Sequence, residues 1–73
     1  MTLQINGEPR TFETALTLSA LIENLGMKPD RVAVELNREI APRDRWPQIE
    51  LKEGDRLEIV HFVGGGNSSV HLN

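Results

Sequence analysis

The run that decides the fold of this chain is Arg56-Leu57-Glu58-Ile59-Val60-His61-Phe62-Val63-Gly64-Gly65-Gly66. Its apolar residues at positions 57 and 59 alternate with Glu58, and this period of two predicts a core strand from Arg56 to about Val63. Because glycine has no Cβ and accepts φ on either side of zero, the triplet that follows predicts a flexible lead. The chain therefore presents a glycine segment at the end of a core strand. The candidate binding site for this segment is a narrow channel in a partner protein that has room only for backbone.

The N-terminal residues predict a hairpin of the same sheet. Leu3 and Ile5 alternate with polar residues, which is the pattern of a half-buried strand over residues 2–6. Asn6-Gly7 is typical of a type I′ turn, whose two central positions need positive φ. The returning strand is predicted at residues 10–13.

One helix is predicted to begin after Thr17, a residue type that caps helix N-termini. Gly26 is predicted to end it, as the residue that follows the C-cap. A helix of about two turns is not stable alone, so it must lie on the sheet. Its apolar residues fall at i, i+3, i+4 and i+7 on one stripe, namely Leu18, Leu21, Ile22 and Leu25.

The middle of the chain predicts short elements that complete the sheet. Val32, Val34 and Leu36 alternate, which predicts a third strand over residues 32–36. Two prolines bound residues 42–47, which predicts one helical turn that places Trp46 against the core. The other predicted elements are a turn at 37–38, a short strand at 39–40, an edge strand at 49–51 and a turn at 52–55. The fold class is therefore α+β, a mixed sheet of four to five strands packed on one helix.

Composition excludes several kinds of partner and site. The 73 residues carry a formal net charge of −3, which argues against nucleic acid and against an anionic membrane surface. The chain has no cysteine, so it has no disulfide, no thiolate nucleophile and no thiolate metal site. Neither a signal peptide nor a membrane-spanning run is present, which predicts a soluble, cytoplasmic protein.

No catalytic or metal-binding set is recognisable. His61 and His71 have no nucleophile arranged with them, and no carboxylate pair has a spacing that suggests acid–base work. We expect His61 on the strand surface and His71 in solvent. The triplet is not a phosphate loop, because no helix and no Lys-Ser/Thr follows it. Taken alone, it is most often a linker to a tail.

Residues 59–66, Ile-Val-His-Phe-Val-Gly-Gly-Gly, resemble the C-terminus of the ThiS family, the sulfur carrier proteins of thiamine (thiazole) biosynthesis. Residues 32–46 resemble the family's middle segment, so the resemblance covers nearly all of residues 1–66. It implies a ubiquitin-like β-grasp fold, in which the first and last strands lie parallel at the centre of the sheet. The family ends at the glycine pair, whereas this chain continues from Asn67 to Asn73.

The resemblance also implies how the chain is divided and used. A β-grasp domain at residues 1–63 would be followed by a glycine tail at 64–66 and by an extension at 67–73 that is disordered or removed. A partner enzyme would use ATP to adenylate the carboxylate of Gly66, with Gly64 and Gly65 lying in its channel, and sulfur would then form a thiocarboxylate. The implied partners are an E1-like adenylyltransferase and thiazole synthase. The chain itself would bind no cofactor and would not be an enzyme.

Two questions stay open from the sequence. Val60 and Phe62 lie on the side of the last strand opposite the core, which favours a docking patch, but Phe62 is equally consistent with a cover over the end of the core. Arg43, Asp44 and Arg45 are interpreted as a structural surface turn. The alternative functions are another β-grasp sulfur carrier, of molybdopterin or cysteine biosynthesis, and a ubiquitin-like binding module without sulfur chemistry.

Overall fold

The computed structural model describes residues 1–62 and shows a five-stranded mixed sheet with one α-helix packed on it. The strands are β1 (Thr2–Ile5), β2 (Glu8–Thr11), β3 (Val32–Leu36), β4 (Glu39–Ile40) and β5 (Arg56–His61), and the helix is α1 (Leu18–Asn24). Two 3₁₀ helices span Pro29–Arg31 and Arg43–Gln48. The strand order is β2-β1-β5-β3-β4, with β5 central, parallel to β1 and antiparallel to β3. The predicted fold class is confirmed, including the parallel first and last strands at the sheet's centre.

The core lies between α1 and one face of the sheet, and the predicted stripe supplies it. Thr17 caps the helix, since its Oγ1 accepts a hydrogen bond from the backbone N–H of Ala20 at 3.1 Å. Gly26 follows the C-cap with φ +74°, a conformation that a side chain disfavours. The buried apolar residues are Leu3, Ile5, Leu18, Leu21, Ile22, Val32, Val34, Ala41, Trp46, Leu51, Leu57 and Ile59.

The second 3₁₀ helix places Trp46 in this core, as predicted. The indole is 2% exposed, and its Nε1 donates to the carbonyl of Ala41 at 2.8 Å, so its one polar atom is satisfied. Arg43 lies over the ring at 5.5 Å from its centroid. Its guanidinium also donates to the carbonyls of Pro29 at 2.7 Å and Val32 at 2.8 Å. Arg43 is therefore structural, in agreement with the interpretation from the sequence.

The predicted edge strand at 49–51 is wrong. Glu50 forms only an isolated bridge with Thr17. The neighbouring backbone groups bond to the loop before α1, where the N–H of Leu18 donates to the carbonyl of Ile49 at 2.8 Å and the N–H of Leu51 to that of Leu16 at 3.0 Å. The segment thus binds the start of the helix instead of extending the sheet.

The predicted position of β2 is shifted. The strand covers residues 8–11 instead of 10–13, because Asn6 (φ +51°) and Gly7 (φ +83°) form a two-residue turn that places Glu8 opposite Ile5. Phe12 follows the strand and packs, partly buried, against the core. The positive φ values confirm the predicted turn.

The described part of β5 ends near the predicted position. After His61, the N–H of Phe62 still donates to the carbonyl of Arg31 at 2.9 Å. Val63, the glycines at 64–66 and the extension at 67–73 lie outside the described residues, as do the predictions made for them. Within residues 1–62, no helix is long and apolar enough to cross a membrane.

Candidate partner-docking site

The sheet face opposite α1 carries an apolar patch beside the outgoing end of β5. The register places Ala33 opposite Val60 and Ile40 opposite Glu35, so strands β4, β3 and β5 bring these side chains to one face. A shallow depression joins them, lined by Ala33, Val34, Glu35, Ile40, Glu58 and Val60. Ile40 is 68% exposed and is the one exposed large apolar side chain among residues 1–62. We call Ala33, Ile40 and Val60 the open-face patch.

The two predicted docking residues lie at and beside this patch. Val60 and Phe62 are both half-buried. Neither is among the partly buried apolar residues that pack against the core, whereas Phe12 is. The structure therefore places Val60 in the patch and Phe62 two residues later, directly after the end of β5. The sequence missed Ile40, because only the register across β3 shows that it shares a face with Val60.

An open groove of about 280 Å³ adjoins the patch on the β4 side. Ile40 borders both the groove and the patch. The groove's other lining residues are Leu36, Glu39, Ala41, Pro42, Arg45 and Ile49. The groove is thus mainly apolar, with one acidic and one basic side chain, whereas Glu35 and Glu58 line the depression on the other side of Ile40.

The sequence-predicted absence of a metal site concerns the rest of the described surface. His61 is exposed, as predicted. Among residues 1–62, no group of three or more His, Cys, Asp or Glu side chains is placed to hold a metal ion. What the described domain provides is a surface and a strand that leads to the glycines.

Comparison with known proteins identifies the family. The ThiS family model matches residues 3–66. This chain belongs to the ThiS family. The resemblance found in the sequence is therefore confirmed.

Individual relatives agree with the family match. The chain is 38% identical over 65 residues to the sulfur carrier protein ThiS of Bacillus subtilis, a match that covers 88% of this chain and 98% of that protein. The crystal structure of the thiamine biosynthesis protein ThiS from Geobacter metallireducens has a TM-score of 0.79 and 35% identity, covering 90% of this chain and all of that one. This solved ThiS structure confirms the β-grasp fold.

Longer relatives also contain the ThiS domain. The chain is 48% identical over 70 residues to the thiazole synthase of Paramagnetospirillum magneticum, covering 96% of this chain and 22% of that protein. The thiazole synthase of Magnetococcus marinus matches at 42% identity and is covered over 20% of its length. This chain thus spans about a fifth of the length of these two relatives and nearly all of the Bacillus carrier.

The open face of this ThiS domain also holds two carboxylates side by side. Glu35 lies directly opposite Glu58 across β3 and β5. Like charges at directly opposed positions destabilise a sheet, because the side chains on one face are about 5 Å apart. We therefore expect the pair to cost folding free energy in the isolated domain.

We expect Glu58→Gln to stabilise the domain by a few tenths to about 1 kcal/mol, since it removes the repulsion and keeps the shape. The gain should shrink as salt is added, because salt screens exposed charges. Urea unfolding at low and high salt measures it. Glu39→Gln is the matched control, because Glu39 faces Leu36 across the sheet. Equal free energies of unfolding for the two variants would contradict the assigned repulsion.

Proposed function

We propose that this domain carries sulfur for thiazole formation as a thiocarboxylate on Gly66. The observation that carries the proposal is the ThiS match that runs to residue 66, on a fold whose central strand leads directly toward the glycines. The names of the relatives favour thiamine biosynthesis over the carriers of molybdopterin or cysteine biosynthesis. No observation favours a binding module without sulfur chemistry.

The proposed chemistry proceeds in two steps on the terminal carboxylate. A carboxylate oxygen of Gly66 attacks the α-phosphorus of ATP and releases pyrophosphate, which leaves an acyl adenylate. A hydrosulfide sulfur then attacks the carbonyl carbon and expels AMP, so that sulfur replaces one oxygen. ATP and the catalytic groups belong to an E1-like adenylyltransferase, because the described domain holds no set of side chains for this reaction.

The acceptor of the sulfur is proposed to be a thiazole synthase. Two relatives that carry a ThiS-like segment within a much longer chain are named thiazole synthases. A carrier segment and a synthase in one chain place donor and acceptor at high effective concentration. This supports the same pairing for the present domain, in which the carrier delivers sulfur to the synthase.

The docking surface for the adenylating enzyme is proposed to be the open-face patch together with Phe62. The patch is apolar, its Ile40 is exposed, and its Val60 lies on the strand that leads to the reacting end. Aromatic anchors at the centre of such patches carry much of the binding free energy in many interfaces. Docking here would place the partner beside the residue from which the glycines depart.

We expect Phe62→Ala to weaken binding of the adenylating enzyme by about tenfold or more, which corresponds to the 1 to 2 kcal/mol typical of an interface anchor. The melting temperature should change little, because Phe62 is not packed against the core. Isothermal titration calorimetry and thermal melting on the same sample measure both quantities.

The chain's other phenylalanine is the matched control. Phe12 packs against the core, so Phe12→Ala should lower the melting temperature and leave the affinity of the folded protein unchanged. The opposite pattern, in which Phe62→Ala destabilises the domain without loss of affinity, would show that Phe62 covers the core and would remove it from the docking surface.

The proposed function is tested by incubating a chain that ends at Gly66 with ATP, the adenylating enzyme and sulfide. Intact-mass analysis should show the gain of one sulfur in place of one oxygen. Pyrophosphate exchange into ATP should report the first step separately. If the enzyme is active and the chain shows neither pyrophosphate exchange nor a gain of sulfur, the proposal is overturned.

A further inference from the structure

Strand β5 extends beyond the end of its neighbour β1. Asn6 is the first residue after β1, where the chain turns toward β2. The backbone N–H of Asn6 donates to the carbonyl of Leu57 at 2.9 Å. Beyond that point β1 has ended in the turn to β2, while β5 continues to His61. The backbone of Ile59 therefore meets no strand on this side.

The side chain of Asn6 supplies the missing partner. Its Oδ1 accepts from the N–H of Ile59 at 2.7 Å, and its Nδ2 donates to the carbonyl of Ile59 at 3.3 Å. A carboxamide carries the same donor and acceptor as a peptide group, so it pairs with Ile59 as a further strand residue would. Within residues 1–62, these are the two hydrogen bonds recorded on the β1 side of β5 beyond Leu57.

Asparagine meets two separate requirements at this position. The turn needs positive φ, which Asn6 adopts at +51° and which asparagine tolerates better than most residues. The contact with Ile59 needs both a donor and an acceptor. Glycine satisfies only the turn, and aspartate keeps an acceptor but loses the donor and brings a charge toward a carbonyl oxygen.

Resting on the proposed function, we propose that Asn6 is a positioning residue, which fixes the direction in which β5 delivers the glycines to the adenylating enzyme. Ile59 lies seven residues before the reacting Gly66. A strand that is held on both sides at Ile59 leaves the domain in one direction, whereas one held only by β3 can pivot about its bonds to that strand. Because the reaction needs the carboxylate placed against the α-phosphorus, a changed direction lowers the rate even when docking is intact.

The chain contains a matched control at the other end of β5. Asn37 also has φ +51° and also accepts from a backbone N–H of β5, that of Arg56 at 2.9 Å. Its Nδ2 donates to Asp55 Oδ1 at 3.0 Å. Asn6→Gly and Asn37→Gly each keep the positive φ and remove the carboxamide. They therefore remove comparable side-chain hydrogen bonds, one variant near the C-terminal end of β5 and the other at its N-terminal end.

We expect both variants, made in chains that end at Gly66, to lower the melting temperature by similar amounts. Only Asn6→Gly should lower kcat for pyrophosphate exchange, by about tenfold, with KM changed less than about twofold, because binding is kept and placement is lost. Asn6→Asp should fall between Asn6→Gly and the unaltered chain. In the free domain, Asn6→Gly should lower the NMR order parameters at residues 60–62, and Asn37→Gly should leave them unchanged.

Two results would overturn the positioning role. One is an equal loss of kcat in both glycine variants, which would mean that lower stability of the domain, and not the position of the lost hydrogen bonds, reduces the rate. The other is unchanged order parameters at residues 60–62 in Asn6→Gly. Absence of exchange in the unaltered chain would instead count against the proposed function, and the order parameters would then decide the role of Asn6 by themselves.

Discussion

Gly65→Ala, in a chain that ends at Gly66, is expected to reduce adenylation by about 100-fold or more and to leave the melting temperature unchanged. Gly65 follows residues 1–62, whose own side chains form the core, so we expect the core to be unaltered. In a partner channel proposed to fit bare backbone, the same methyl displaces the adjoining carboxylate or excludes a positive φ that the bound tail needs. A displacement of about 1 Å at a reacting group is enough for a loss of this size. Pyrophosphate exchange at saturating ATP measures it.

Gly54→Ala is the control for this prediction. Gly54 has φ +84°, and a Cβ added there meets nothing within 4 Å, so alanine costs conformational free energy without a clash. We expect a lower melting temperature and normal exchange, the reverse of Gly65→Ala. Normal exchange by Gly65→Ala would mean that the glycines are a spacer of no special shape, and the proposed narrow channel would be withdrawn.

Hydrophobic periodicity was sufficient to predict the central strands and the helix. Leu3, Ile5, Leu57 and Ile59 alternate with polar residues and are buried as expected. The Thr17 cap and Gly26 bounded the helix correctly because both act through local backbone geometry. Such signals depend on neighbours in sequence, and the fold class followed from them.

The wrong prediction at residues 49–51 shows where periodicity stops being informative. Leu51 is buried and Ile49 is half-buried, so the alternation correctly reports a side that faces the core. The alternation does not indicate which other segment of backbone forms hydrogen bonds with residues 49–51. The partner is the loop at residues 16–18, and only the tertiary structure brings that loop to this segment. The shifted β2 has another cause, since its residues are all exposed and the turn alone sets their register.

The candidate site was predicted only in part, for the same reason. Val60 was found because it alternates with core residues of its own strand. Ile40 joins it across two strands, and the carboxamide of Asn6 reaches Ile59 across 53 positions of sequence, so no local pattern contained either relation. The structure thus adds Ile40 to the proposed docking surface and the hydrogen bonds between Asn6 and Ile59 to the proposed positioning of β5.

The residues after the glycines determine which carboxylate is free. In the 73-residue chain the carbonyl of Gly66 is bonded to the nitrogen of Asn67, so Gly66 has no free carboxylate. Adenylation of the kind proposed needs a terminal carboxylate. The side chains of Val70, His71 and Leu72 do not suit a channel that fits glycine. The match to the Paramagnetospirillum thiazole synthase covers 70 of the 73 residues, so it includes Asn67, and that relative also continues past the glycines.

We therefore expect the full 73-residue chain to form no thiocarboxylate and the chain that ends at Gly66 to form it readily. Cleavage after Gly66 by a peptidase would then be the step that activates the carrier, and a polar Asn-Ser-Ser sequence beside glycines suits such a cleavage. Intact-mass analysis of both chains, after incubation with ATP, the adenylating enzyme and a sulfur donor, distinguishes a gain of sulfur from a loss of the tail.

A chain that ends at Asn67 is the matched control, because it differs from the active form by a single residue. It should dock through the same open-face patch, compete with the active form for the enzyme, and yet gain no sulfur. This outcome separates the need for a free Gly66 carboxylate from any effect of tail length on binding. If the full chain instead gained sulfur as fast as the chain that ends at Gly66, with its tail intact, the sulfur would have to reside on another carboxylate, and Gly66 would lose the role assigned to it.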